Sequence, residues 1–236
     1  MKKSESPHIT AALRAAFPLT VPVLFGYLFL GIAFGVLLAS IGLGPAWALL
    51  MSTVIYAGSG QFVLVGLLAA PFAPLQVALM TLSVNARHLF YGLSLLERFR
   101  YLGKLKPYLI FSLTDETYAV LVSSKVPEGI SRRWFYFWIA ALDQGYWIAG
   151  SLIGSVAGTY IPFNSQGIEF AMTALFLVIA LEQWEQARNR RPAVLGLLIS
   201  ALSLFIFGPQ NFIVAAMIGI LFCLTLFRRQ FAPVPS

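Results

Sequence analysis

Apolar residues cover positions 17–39, 46–70, 74–96, 108–124, 134–159, 168–184 and 193–227, with short polar clusters between them. A helix of about 20 apolar residues crosses a hydrocarbon core of about 30 Å, and runs of this kind with almost no charge read as membrane spans. The pattern predicts an all-α integral membrane protein, a polytopic bundle of about six to eight transmembrane segments, some of them broken or re-entrant. In the first span, Pro18 and Pro22 fall in the opening turns, where proline costs least. Gly31 and Gly35 stand at a small-residue spacing that lets another helix of the same chain approach closely.

Three runs are interrupted. Positions 46–70 carry Gly58-Ser59-Gly60-Gln61 at their middle. Two glycines weaken a helix by about 1 kcal/mol each, so one half-helix is expected before Gly58 and another after Gln61. Amides freed there can receive a carboxylate, because a half-helix N-terminus points N–H groups and a positive dipole at it. Positions 108–124 are interrupted by Thr114-Asp115-Glu116-Thr117, and 193–227 by Gly208-Pro209-Gln210-Asn211, which leaves two short helices. Gly60-Gln61-Phe62 and Gly208-Pro209-Gln210 are both breaks with a glutamine, in opposite halves of the chain. Interrupted segments so placed point to a transporter site, although the match is too thin to establish a repeat.

Composition agrees with the pattern. The 236 residues are 59% hydrophobic and 11% charged, against about 25% charged in soluble domains. One bundle over residues 1–236 accounts for the length, with 1–14 and 229–236 as cytoplasmic tails. The net charge of +7 does not indicate nucleic-acid binding, since the basic residues cluster beside apolar runs. With every run counted as a crossing, the loop holding Arg98, Arg100, Lys104 and Lys106 falls outside, against the positive-inside rule. If 46–70 and 108–124 each enter and return on one side, all basic clusters and both termini lie in the cytoplasm. Both arrangements stand at this point. Cys223, the one cysteine, lies in the last apolar run and cannot form a disulfide within the chain. No Cys/His set has metal-ligand spacing, and no cofactor is expected.

Five ionisable residues sit at apparent membrane depth: Arg87, His88, Asp115, Glu116 and Asp143. A charge at that depth is costly unless paired, so Arg87 is expected to meet Asp115 or Asp143. Intramembrane ionisable groups are candidates for proton relays. Histidine titrates near neutrality, and carboxylates in apolar surroundings can load and release a proton. Arg87, His88, Asp115 and Glu116 are therefore candidates for a buried charge network or proton coupling.

The order Tyr56-Ala57-Gly58-Ser59-Gly60-Gln61-Phe62, then Asn85-Ala86-Arg87-His88-Leu89-Phe90-Tyr91-Gly92, then Leu113-Thr114-Asp115-Glu116-Thr117-Tyr118-Ala119 resembles the AzlC-like (azaleucine-resistance) permeases. The resemblance extends from about position 13 to 228. It implies the large subunit of a branched-chain amino-acid exporter in a bacterial inner membrane, working with a small AzlD-type membrane subunit. A zwitterionic substrate needs a receptor for each charge. Gly58, Ser59, Gly60 and Gln61 are candidates for the carboxylate, and Asp115, Glu116 or Asp143 for the ammonium. Asn85 and Gln144 complete the candidate substrate site, with Phe62, Phe90 and Tyr91 as an apolar lining.

Two other classes compete. Ser59 and His88 have the side chains of an intramembrane serine protease of the rhomboid type. A serine flanked by glycines is commonly a packing device, however, and no other residue supports a nucleophile, so a non-enzyme is expected. A passive channel would use the same broken helices without a driving gradient.

Overall fold

The computed structural model describes residues 6–69, 74–100, 102–160 and 190–226, with Leu177, Leu181 and Trp184 between the last two stretches. The expected span at 168–184 thus lies largely outside the described residues. Among those described, all regular structure is helical. The elements are α1 (Ser6–Ser40), α2 (Pro45–Val54), α3 (Gly58–Leu68), α4 (Pro74–Leu95), a 3-10 turn (Gly103–Leu105), α5 (Lys106–Phe111), α6 (Asp115–Ser123), α7 (Arg132–Tyr160) and α8 (Arg190–Leu226).

α1 starts well before position 17, so Pro18 and Pro22 lie in its interior and not in its opening turns. Packing explains the difference. Ala12 and Ala16 are buried in a cluster with Phe99, Leu109 and Phe135, which extends the helix through two residues that weaken it locally.

α1 and α7 form the spine. A Cβ on Gly35 would strike the backbone of Ser151, Gly154 and Ser155, and one on Gly154 would strike the backbone of Ile32. Gly31 and Gly35 therefore serve packing within the chain, against a matching stripe of Gly150, Gly154 and Gly158. Gly150 lies on Leu28, Gly154 on Ile32 and Gly158 on Val36, so the two helices run in the same direction.

Two broken pairs enter this spine from opposite ends. Leu43 bonds back to Leu38, so α2 begins beside the end of α1. It descends until the Thr53 carbonyl meets Gln144 of α7. α3 then climbs back: the Phe62 ring packs edge-on against Phe34 at 5.8 Å, and Val65 joins the cluster of Leu37 and Leu38. α5 starts at the other end, with Leu109 in the cluster of Ala12 and Ala16. The chain reaches Tyr27 at Thr114, and α6 returns until the Arg98 guanidinium donates to the carbonyls of Leu121 (2.7 Å) and Val122 (3.2 Å). A cation on the free carbonyls of a helix C-terminus is favourable, which ties that end down. The units α2–α3–α4 and α5–α6–α7 thus share one plan in opposite orientations. The counterpart of the Gly58 break is the Thr114 break and not Gly208.

Gly208 has another use. Its φ of 70° and ψ of 172° turn α8 back on itself. Gly196 then faces Ile220 and Gly219 faces Ile199, which makes a helical hairpin of the two short helices expected there.

Candidate functional site

The first half-helix terminus is α3. Its break lies at 55–57, so Gly58 to Gln61 form the first turn of α3 and not the gap itself. The left-handed residue is Tyr56, at φ 42°. The two glycines provide closeness instead. A Cβ on Gly58 would sit 3.7 Å from the Trp147 ring, and one on Gly60 would sit 2.9 Å from the Asn85 amide group. The Gly58 and Gly60 amides lie ahead of the first intrahelical bond, which the Gln61 amide makes to the Ala57 carbonyl at 2.8 Å; the capping position is Ala57, which offers no side-chain acceptor, and no acid occupies the turn. Gln61 is 0% exposed. Its Oε1 accepts from Trp147 Nε1 at 2.9 Å and from the Ala57 amide at 3.2 Å. The indole N–H can only donate, which fixes the amide orientation and leaves Gln61 Nε2 without a partner among the described residues. Asn85 Oδ1, beside Gly60, is likewise buried without one.

The second terminus is α6. Thr114 caps it, with Oγ1 accepting from the Thr117 amide at 3.2 Å. This terminus carries its own acids: Asp115 and Glu116 occupy the first turn, where the helix dipole favours them. Tyr27 of α1 reaches both Thr114 Oγ1 (2.5 Å) and Glu116 Oε2 (2.7 Å). Thr117 Oγ1 donates to Asp143 Oδ2 at 2.8 Å. Asp143 is 0% exposed, and its Oδ1 has no partner among the described residues. Tyr56, Tyr108 and Glu116 lie within electrostatic range of Asp143.

Trp147 joins the two termini. It lies one helical turn after Asp143 on the same face of α7. Its ring stacks on Phe34 (6.0 Å) and meets the edge of Tyr27 (5.4 Å), while its N–H holds Gln61. A helix N-terminus without an acid or a capping side chain and a buried carboxylate are thereby linked through Trp147 and α7, and Gln61 Nε2 and Asp143 Oδ1 have no partner among the described residues.

The other candidates are placed as follows. Gln144 has both ends engaged: Oε1 accepts from Tyr108 at 2.8 Å, and Nε2 donates to the Thr53 carbonyl that the α2 break leaves open, at 3.2 Å. Asp115 accepts from Tyr91 at 2.7 Å, and the Tyr91 ring stacks on Tyr118. His88 rests Nδ1 against the Asn85 carbonyl and its ring edge against Tyr91. Ser59 is buried in the first turn of α3. Phe62 belongs to the apolar core beside Phe34. The side chains of Arg87 and Phe90, and with them the expected Arg87 pairing, lie outside the described residues. Sequence reasoning missed Tyr27, Thr117, Tyr56, Tyr108 and Trp147. Helical spacing hinted at two of them, since Trp147 follows Asp143 by four residues and Tyr27 precedes Gly31 by four, while Tyr56 and Thr117 stand beside the breaks at Gly58 and Thr114.

The family model described as AzlC protein matches residues 22–161, which takes in most of α1, both broken pairs and all of α7. The chain belongs to the AzlC family. Within the family, the branched-chain amino acid transport protein AzlC of Bacillus subtilis (strain 168) is 44% identical over 221 residues, covering 94% of this chain and 87% of the relative. A membrane protein of Helicobacter pylori (strain 26695) is 43% identical over 219 residues, 93% of this chain and 96% of its own. The inner membrane protein YgaZ of Escherichia coli K12 is 31% identical over 193 residues, 78% and 77% of the two chains. No solved structure matches the chain. Among the described helices, Ile9–Ser40 and Arg190–Gly208 are long and apolar enough to cross a membrane, in agreement with the relatives' names.

Proposed function

We propose that this AzlC-family protein is the large subunit of a proton-coupled exporter of branched-chain amino acids in a bacterial inner membrane, with a small AzlD-like membrane subunit as partner. The observation that carries the reading is the pairing around Trp147. The N-terminal turn of α3, which has no acid and no capping side chain, suits a carboxylate together with Gln61 Nε2, and Asp143 Oδ1 suits an ammonium. The relative named as a branched-chain amino acid transport protein supports the substrate class.

The topology proposed with it has α1, α4 and α7 crossing and both broken pairs re-entrant. The return of α6 to Arg98, and of α3 to the Leu37 and Leu38 end, supports it. This arrangement gathers the basic clusters and both termini on the cytoplasmic side. Polar backbone at membrane depth is then covered by protein, as a bilayer requires.

Labelled valine, leucine and methionine fluxes in proteoliposomes test the proposal, with the chain alone and with the small subunit, and with and without a pH gradient. Gradient-driven efflux that fails in Asp143→Asn is expected. Flux indifferent to the gradient would replace the exporter with a channel or uniporter, and no flux in either preparation would remove the substrate assignment.

A further inference from the structure

The hydroxyls between Glu116 and Asp143 make one continuous chain. Its four links are Glu116 Oε2 to Tyr27 OH, Tyr27 OH to Thr114 Oγ1, Thr114 Oγ1 to Thr117 Oγ1, and Thr117 Oγ1 to Asp143 Oδ2, at 2.7, 2.5, 3.0 and 2.8 Å. Each hydroxyl has one hydrogen. Three hydroxyls therefore supply three hydrogens for four links. The fourth must come from a carboxyl group at one end of the chain. With both carboxylates ionised, one link has no hydrogen; with both protonated, one link holds two that collide. A single proton on the pair fills every link, whichever end carries it.

We propose that Glu116 and Asp143 share one proton along this wire, and that a substrate ammonium arriving at Asp143 drives the proton to Glu116. In that transfer the Asp143 carboxyl gives its hydrogen to Thr117, Thr117 gives its own to Thr114, Thr114 to Tyr27, and Tyr27 to the Glu116 carboxylate. One O–H bond is lost at Asp143 and one is formed at Glu116, and each hydroxyl gives one hydrogen and takes one. Position explains the direction. Asp143 is wholly buried, so its bare charge is costly and must be neutralised by a proton or by a cation. Glu116 is exposed on the described bundle, so a charge there costs less than at Asp143. Proton and ammonium then compete for Asp143, which is the coupling an exchanger needs. Among the described residues, the titratable groups that face the pair from other elements are Tyr27 of α1, Tyr56 between α2 and α3, and Tyr108 of α5. None of these three tyrosines is a cation, so none of them supplies the ammonium's role at Asp143. The displacement half rests on the exporter reading above; the shared proton does not.

The test is infrared absorption of protonated carboxyl groups, titrated with pH on the full-length chain in lipid. The bands are assigned by their loss in Asp143→Asn and Glu116→Gln. The wild type is expected to hold one proton on the pair across a pH interval bounded by two separate titrations. Tyr27→Phe keeps the ring against Trp147 but removes two links, and Thr117→Val breaks the chain at another point. Each is expected to narrow the interval by about one pH unit or more, since a lost hydrogen bond of this kind no longer penalises the other protonation states. Thr117→Ser restores the wild-type interval. An interval unchanged in both Tyr27→Phe and Thr117→Val leaves only through-space repulsion and overturns the wire. Leucine added to the wild type is expected to move intensity from the Asp143 band to the Glu116 band. If leucine leaves both bands untouched while the interval behaves as expected, the displacement is overturned and the shared proton stands. A wild type that transports no amino acid removes the exporter reading without bearing on the interval.

Discussion

Alanine at Gly154 or Gly35 tests whether the α1–α7 spine sets the geometry of the site. In both positions the added Cβ falls on backbone of the facing helix, where no rotamer change relieves the overlap. The helices must separate, and overpacking of this kind costs about 1–3 kcal/mol. Gly26 of α1 and Gly145 of α7 are the controls, since a Cβ at either meets nothing within 4 Å. All four changes gain the same helix propensity, about 1 kcal/mol over glycine, so the steric term appears as the difference between the pairs. With backbone in the way on both sides, the upper end of the range applies, about 3 kcal/mol. That is a factor above roughly 100 in the folded-to-unfolded ratio, at about 1.4 kcal/mol per tenfold. The assay is reversible unfolding in mixed micelles, with the four variants measured side by side. Gly26→Ala and Gly145→Ala are expected at or slightly above wild-type stability, and Gly35→Ala and Gly154→Ala well below. Equal stabilities for Gly154→Ala and Gly145→Ala would refute the backbone contact between α1 and α7.

Gln144→Leu is expected to lower stability by about 1–3 kcal/mol in the same assay, because it strands the Thr53 carbonyl and the Tyr108 hydroxyl. Trp147→Phe keeps an aromatic ring near Phe34 and Tyr27 but removes the N–H that orients Gln61. Leucine binding, read by calorimetry, should weaken by about 1 kcal/mol or more, and unchanged affinity would remove Gln61 from the proposed carboxylate receptor. Arg98→Ala frees the two carbonyls at the end of α6 and should cost about 1 kcal/mol, with faster amide exchange at 119–124 as the local sign. Thr114→Ala removes the α6 cap, and a loss of about 1 kcal/mol is expected in chemical denaturation.

The apolar runs alone determined that this is an all-helical chain built for a bilayer, because spanning length and backbone satisfaction leave little else such a sequence can do. They also located the interruptions at Gly58, Thr114 and Gly208 to within a few residues, since glycine, proline and charge weaken a helix locally. What a weakened point becomes is not a local property. Gly58 and Gly60 turned out helical, placed for closeness to Trp147 and Asn85, while Tyr56 took the left-handed turn; the neighbours on α4 and α7 decided this. Pro18 and Pro22 sit inside a long helix because Ala12 and Ala16 are packed on its far side. The opposed entry of the two broken pairs depends on contacts between residues far apart in the chain, such as Arg98 with Leu121 and Gln144 with Thr53, and no periodicity records them. Asp143 and Glu116 stood out early because an intramembrane carboxylate is rare. Tyr27 and Thr117, which join them, resemble ordinary bilayer residues in sequence, and only packing brings their hydroxyls into one line.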